Sequence, residues 1–139
     1  MDPKRVIPEV QNLHALIKER QNPIMSYDLL DDMTVTIELL KFPDGWENDE
    51  GTHFGTVIFD LSRSYPKKQP KVYVSADLRY EGDSPHVLYN QSAAPDGFTK
   101  YCIHRLSDWD PDQHSLTTMF NLLEVSLEHP RSKNPLQEA

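Results

Sequence analysis

Cysteine is nearly absent from this chain. Its 139 residues include one, Cys102, so no internal disulfide can form. That excludes a disulfide-stapled secreted scaffold, and it leaves the lone thiol as either inert packing or a working nucleophile. Glycine is scarce too: the five glycines are dispersed, with no phosphate-cradling loop and no Gly-x-Ser-x-Gly elbow. No apolar run approaches the ~20 residues of a membrane span, and Met1-Asp2-Pro3-Lys4-Arg5 lacks the apolar core of a signal peptide. Positive charge is in the minority. Fourteen Lys and Arg against 22 Asp and Glu give a net charge of −8, which argues against nucleic-acid binding. The six histidines and one cysteine give no zinc-ligand spacing, so neither metal nor cofactor is expected. These absences together point to a cytoplasmic protein without a membrane partner.

What is present suits one globular domain over residues 1–139, with 37% hydrophobic and 26% charged residues. Over residues 3–20, Val6, Ile7, Val10, Leu13, Leu16 and Ile17 recur at spacings of three and four, which predicts an amphipathic helix. Pro8 falls deep in that segment, so the spacing places the true start after it, near Glu9. The period then changes to two. Residues 24–30 and 34–42 read as strands joined by Asp31-Asp32-Met33, and residues 53–61 and 71–75 as two more. An acidic, turn-rich loop covers 43–51. Four such runs joined by short turns predict an antiparallel meander. Residues 76–112 show no sustained periodicity, and loops of that length are uncommon unless functional or disordered. Helical spacing returns at 114–128 through Leu116, Met119, Phe120, Leu123 and Leu127, capped by Asp112 or Ser115 and stopped by Pro130. The fold class expected is therefore α+β.

Several motifs punctuate this order. Tyr65-Pro66 is followed by Pro70-Lys71-Val72, Tyr101-Cys102-Ile103 lies in the aperiodic stretch, and Trp109-Asp110-Pro111 follows shortly after. His129-Pro130 leads to Pro135-Leu136, while Asp31-Asp32-Met33 precedes the second strand and Phe54-Gly55 stands at the start of the third. In this order and spacing, over residues 3–139, the set resembles the ubiquitin-conjugating enzyme family. Tyr65-Pro66 with Pro70-Lys71-Val72 is similar to its Tyr-Pro-x-x-x-Pro-x-Val segment. Tyr101-Cys102-Ile103 is similar to the Ile-Cys-Leu that bears its active cysteine, and Trp109-Asp110-Pro111 to its Trp-x-Pro. The chain departs from the family in three ways. Ser84-Pro85-His86, with an enlarged loop after it, stands where His-Pro-Asn is usual; the family's last two helices are absent; and His104 replaces a common aspartate. These departures resemble the compact, divergent enzymes of bacterial ubiquitin-like pathways, which implies a setting such as antiviral defence.

The resemblance implies a transferase that accepts a ubiquitin-like C-terminus on Cys102 as a thioester and passes it to an amine. Its partners would be an activating enzyme and a ubiquitin-like protein. A cysteine thiolate is the nucleophile for such acyl transfer, and one donor to the developing oxyanion contributes ~3 kcal/mol. If residues 101–105 are extended, Cys102 and His104 share a face, so His104 could act as donor or general base. His86 and Asn90 compete for the oxyanion role. Asp108 and Asp110 could orient an attacking lysine ammonium, and Lys4 and Arg5 on the first helix could receive the activating enzyme. Two other readings remain open: a non-catalytic binding module on the same fold, and a thiol hydrolase using Cys102 with His104.

Overall fold

The computed structural model describes residues 3–21, 23–61, 63–83, 88–89, 94–101 and 109–130. Helix α1 spans Pro3–Arg20 and helix α2 spans Leu116–Glu128. Between them lie β1 (Ile24–Asp28), β2 (Thr34–Lys41), β3 (Trp46–Glu47), β4 (Phe54–Asp60), β5 (Lys71–Ser75), β6 (Arg79–Tyr80), β7 (Leu88–Tyr89) and β8 (Phe98–Tyr101). The class is α+β.

Strands β1, β2, β4 and β5 are antiparallel neighbours, as the alternation in the sequence predicts. Their register aligns Val35 with Phe59 and Phe59 with Val72, and it aligns Ile37 with Val57 and Val57 with Val74. All six side chains therefore share one face, and all are buried in a core that also takes Val6, Val10, Leu13 and Ile17 of α1. From α2 come Leu116, Met119, Phe120, Leu123 and Leu127. Each such side chain, moved from water into this core, stabilises by roughly 1.5–3 kcal/mol.

The structure departs from the expected meander in several places. The sheet has six strands, because β8 adds to β5 and β7 adds to β8. A second, two-stranded sheet pairs β3 with β6. Three of these four extra strands are only two residues long, too short for alternation to reveal, and β8 has only four. The acidic loop folds inward at Trp46, which is fully buried. Its indole N–H donates to the Leu127 carbonyl at 2.9 Å, and its ring meets Phe42 and Tyr80 edge-on. At Gly55 a Cβ would lie 2.9 Å from Leu78 Cδ1, so a larger residue there would push the buried Leu78 side chain aside.

Helix α1 also begins at Pro3, not after Pro8. Pro8 lacks an N–H and forfeits one ladder bond, but it faces solvent while Val6 and Val10 flank it in the core. The Arg5 guanidinium holds the first turn in place. Its Nε donates to Glu9 Oε2 at 2.9 Å, and Nη2 donates to the carbonyls of Pro111 and His114, the latter at 3.2 Å. Ile7, counted in the apolar stripe, is 39% exposed. Of the two candidate caps for α2, Ser115 holds the N-cap position, with its N–H donating to Thr118 Oγ1 at 3.1 Å.

Glu9 joins three parts of the chain. Its Oε1 accepts from the Tyr65 hydroxyl and from the Leu116 N–H at 3.1 Å, the first amide of α2, while Oε2 accepts from Arg5. Its side chain is 12% exposed. Burial, followed by the hydrogen bond and charge of Glu9, pushes the Tyr65 phenol well above its ordinary value. In the β1–β2 turn the N–H groups of Asp31 and Leu30, both donating to Asp28 Oδ1 at 3.0 Å, hold the Asp28 carboxyl below its usual value.

Two predictions follow from Glu9. Glu9→Gln, measured by urea unfolding at neutral pH, should lose about 1.5–3 kcal/mol, the usual worth of hydrogen bonds to a charged group. Tyr65→Phe should lose about 1–2 kcal/mol at pH 8. Because the folded chain holds the phenolic proton more tightly, that contribution is complete below the unfolded tyrosine value of about 10 and declines as pH rises beyond it. Between about pH 10 and 11 the wild-type chain should therefore lose stability faster than Tyr65→Phe.

Candidate functional site

The elements on either side of the cysteine-bearing segment define the candidate site. Strand β8 leads into it. Thr99 and Tyr101 alternate inward between Phe98 and Lys100, and the Tyr101 hydroxyl pairs with Ser126 Oγ of α2 at 2.7 Å. That buried pairing explains why a polar residue, Ser126, stands on the apolar face of α2. The chain is thus anchored in the sheet, opposite Leu88 and beside β5, up to the residue before Cys102.

The next described residue is Trp109, and it is anchored as firmly. Its indole N–H donates to the Pro66 carbonyl at 2.7 Å, joining segments 43 positions apart. Its ring lies 6.2 Å from that of Tyr65 and 5.4 Å from that of His114. The Asp110 N–H donates to His114 Nδ1 at 2.9 Å, which makes Nδ1 the acceptor nitrogen of that imidazole. Asp110 Oδ1 accepts from the Asp112 N–H at 2.9 Å, while the Asp110 carbonyl accepts from Gln113 and His114. Asp110 therefore shapes the turn that delivers the chain to α2.

Beside Tyr101 a cleft of about 270 Å³ opens between the approach to β5 and α2, lined by Gln69, Pro70, Lys71, Val72, Lys100 and Met119. Lys71 and Lys100 give it positive charge in a chain whose net charge is −8. Among the described residues no group of three or more His, Cys, Asp or Glu is placed to hold a metal ion. No helix among them is long and apolar enough to cross a membrane.

The residues singled out from sequence divide as follows. Cys102, His104, His86, Asn90 and Asp108 lie outside the described residues. Asp110 is half-buried in the turn after Trp109, with one carboxylate oxygen already accepting a backbone N–H. Lys4 is exposed on the first turn of α1, whereas Arg5 is directed into the carbonyls of Pro111 and His114. Those bonds place the start of α1 against the Trp109-Asp110-Pro111 segment. Sequence reasoning missed Glu9 and His114, which organise this corner. A glutamate inside an amphipathic helix and a histidine before a cap look like ordinary solvated residues, and their partners lie far away in the chain.

Replacing Trp109 by Phe removes the donor to Pro66 while keeping an aromatic ring. It should lower stability by about 1 kcal/mol and weaken the near-ultraviolet dichroism of the aromatic cluster, both read during denaturant titration. No protein-family model matches the chain, and neither does any curated protein or solved structure.

Proposed function

We propose that this chain is a ubiquitin-like-protein conjugating enzyme of ubiquitin-conjugating-enzyme-like fold, working through Cys102. The observation that carries the reading is the bond from the Trp109 indole to the Pro66 carbonyl. The two segments most similar to the family outside the cysteine itself, Tyr65-Pro66 and Trp109-Asp110-Pro111, meet in space and frame the exit of the cysteine-bearing segment. A lone tryptophan or tyrosine-proline pair occurs in many proteins, but their direct hydrogen bond beside the segment that bears the only thiol is a narrower coincidence. The helix–meander–helix order supports the same reading.

In this scheme the Cys102 thiolate attacks the thioester carbonyl of a charged activating enzyme. The tetrahedral intermediate collapses, that enzyme's thiol leaves, and the ubiquitin-like C-terminus remains on Cys102. An amine then attacks the new thioester, loses its proton, and expels Cys102 as the leaving group. His104 serves as donor or base for this second step, with His86 and Asn90 as the alternative donors to the oxyanion. Asp108 and Asp110 attract the incoming lysine ammonium. The cleft beside Tyr101, the residue before Cys102, has Lys71 and Lys100 on its walls and could take part of an extended tail. Lys4 is the docking contact on α1, and Arg5 keeps that helix against the frame of the site.

A charging assay tests this. The chain is mixed with a cognate activating enzyme, its ubiquitin-like protein and ATP. A reducible adduct should form, and Cys102→Ser should convert it to a reductant-stable ester. Lys4→Glu should slow charging about tenfold, and Arg5→Glu should slow charging and also lower the unfolding midpoint, because it breaks the bonds to Glu9, Pro111 and His114. Failure of the wild-type chain to charge with an active set, while still binding the ubiquitin-like protein, would establish a non-catalytic binding module in its place. Cleavage of a ubiquitin-like fusion without ATP would establish a thiol hydrolase.

A further inference from the structure

Leu39 combines two unfavourable properties. Its φ is +58°, a left-handed conformation that crowds the Cβ of any residue other than glycine, and its side chain is 56% exposed. The other two non-glycine residues with positive φ among those described, Met33 and Glu81, lie in the connections between strands; Leu39 alone lies inside one. It sits in a β-bulge. Ile37 pairs with Val57 and Leu40 with Gly55, so Glu38 and Leu39 together face Thr56. The bulge lets Ile37 and Leu40 both point into the core, and that purpose needs only the backbone. Glycine or asparagine at position 39 would serve it with less strain and without exposing an apolar side chain.

Leu39 shares its surroundings with Phe54, itself 43% exposed, in a cleft of about 430 Å³ that also includes Glu50, Thr52, Thr56 and Asp77. That volume falls within the range of pockets that hold small ligands or a few side chains. One wall is built firmly. Asn48 Nδ2 donates to Thr52 Oγ1 at 2.6 Å and to the Phe54 carbonyl at 2.9 Å, while its Oδ1 accepts the N–H groups of Glu50 and Thr52. Asp77 Oδ2 accepts the Asp49 N–H at 3.1 Å, pinning the same loop to the end of β5. Glu50 and Asp77 supply negative charge, and no lysine or arginine stands among the described lining residues.

We propose that the Leu39–Phe54 cleft is a docking site for a partner protein's segment that presents an apolar side chain next to a lysine or arginine. The two exposed apolar side chains take the apolar group, and Glu50 and Asp77 face the cation. The strain at Leu39 is then retained because the partner covers the residue that causes it.

The test uses the full chain and two synthetic peptides, acetyl-Gly-Lys-Leu-Lys-Phe-Lys-Gly-amide and its counterpart with glutamate at each lysine. In amide-resolved NMR titration the basic peptide should shift Leu39, Phe54 and Thr56, and the acidic peptide should not. Leu39→Gly should weaken binding at least tenfold while the melting temperature stays equal or rises. Glu50→Lys, a change on an exposed loop, should weaken it similarly and leave the melting temperature unchanged. The proposal is overturned if the shifts map elsewhere, if the acidic peptide binds equally, or if Leu39→Gly binds like the wild-type chain. It is also overturned if Leu39→Gly melts at a lower temperature, since the leucine would then belong to the fold itself.

Discussion

A nearly buried carboxylate, that of Glu9, holds the corner of the molecule on which the candidate site rests. An ionised carboxylate removed from water is costly unless its lone pairs find donors and its charge finds a partner. Glu9 has both: the Arg5 guanidinium on its own helix, the Tyr65 hydroxyl from the connection between β4 and β5, and the first amide of α2. The last is favourable twice over, because a helix N-terminus presents unsatisfied N–H groups and positive partial charge to an anion. Arg5 continues the network to the carbonyls of Pro111 and His114. Three stretches distant in sequence are thus joined through one side chain, and removing it would take the ionic partner from Arg5 and the acceptor from the Leu116 N–H.

That corner and the Tyr101–Ser126 pair hold the two ends of the cysteine-bearing segment. One end is fixed by β8 and a buried phenol bonded into α2, the other by an indole bonded to the Pro66 carbonyl and tilted against the His114 ring. Acyl transfer to and from a thiol makes modest demands on the nucleophile, because exchange between thioesters is nearly isoenergetic. It makes larger demands on position, since the attacking amine, the carbonyl and the oxyanion donor must meet within a few tenths of an ångström. Under the proposed function, described flanks fixed in the sheet and beside α2 suit that requirement. The Leu39–Phe54 cleft belongs to another part of the molecule, the bulge of β2 and the start of β4, so a partner there would engage residues other than those framing the cysteine-bearing segment.

Much of this was legible from residue order. The stripe in α2 and the alternation in β2, β4 and β5 were readable because a helix with one buried face and a strand with one buried face impose periods of 3.6 and 2 on their apolar residues. The Tyr65-Pro66 and Trp109-Asp110-Pro111 motifs could be picked out as well. Strands of two residues carry no period, so β3, β6 and β7 were invisible, and the buried tryptophan that draws β3 inward looked like part of an acidic loop. Local spacing puts the start of α1 too late, because proline's cost is local whereas the Arg5 bonds and core contacts that offset it come from distant parts of the chain.

The sequence by itself determined the helices, the four principal strands and the existence of one thiol in an aperiodic stretch, because each depends on local spacing or on counting. Only the tertiary structure decided that Glu9 accepts the first amide of a helix 107 positions away, that Trp109 reaches Pro66, and that Arg5 turns inward while Lys4 remains exposed. Hydrogen bonds between side chains and distant backbone leave no repeating trace in composition or order. They depend on where two surfaces meet, and that is set by how the helices pack on the sheet.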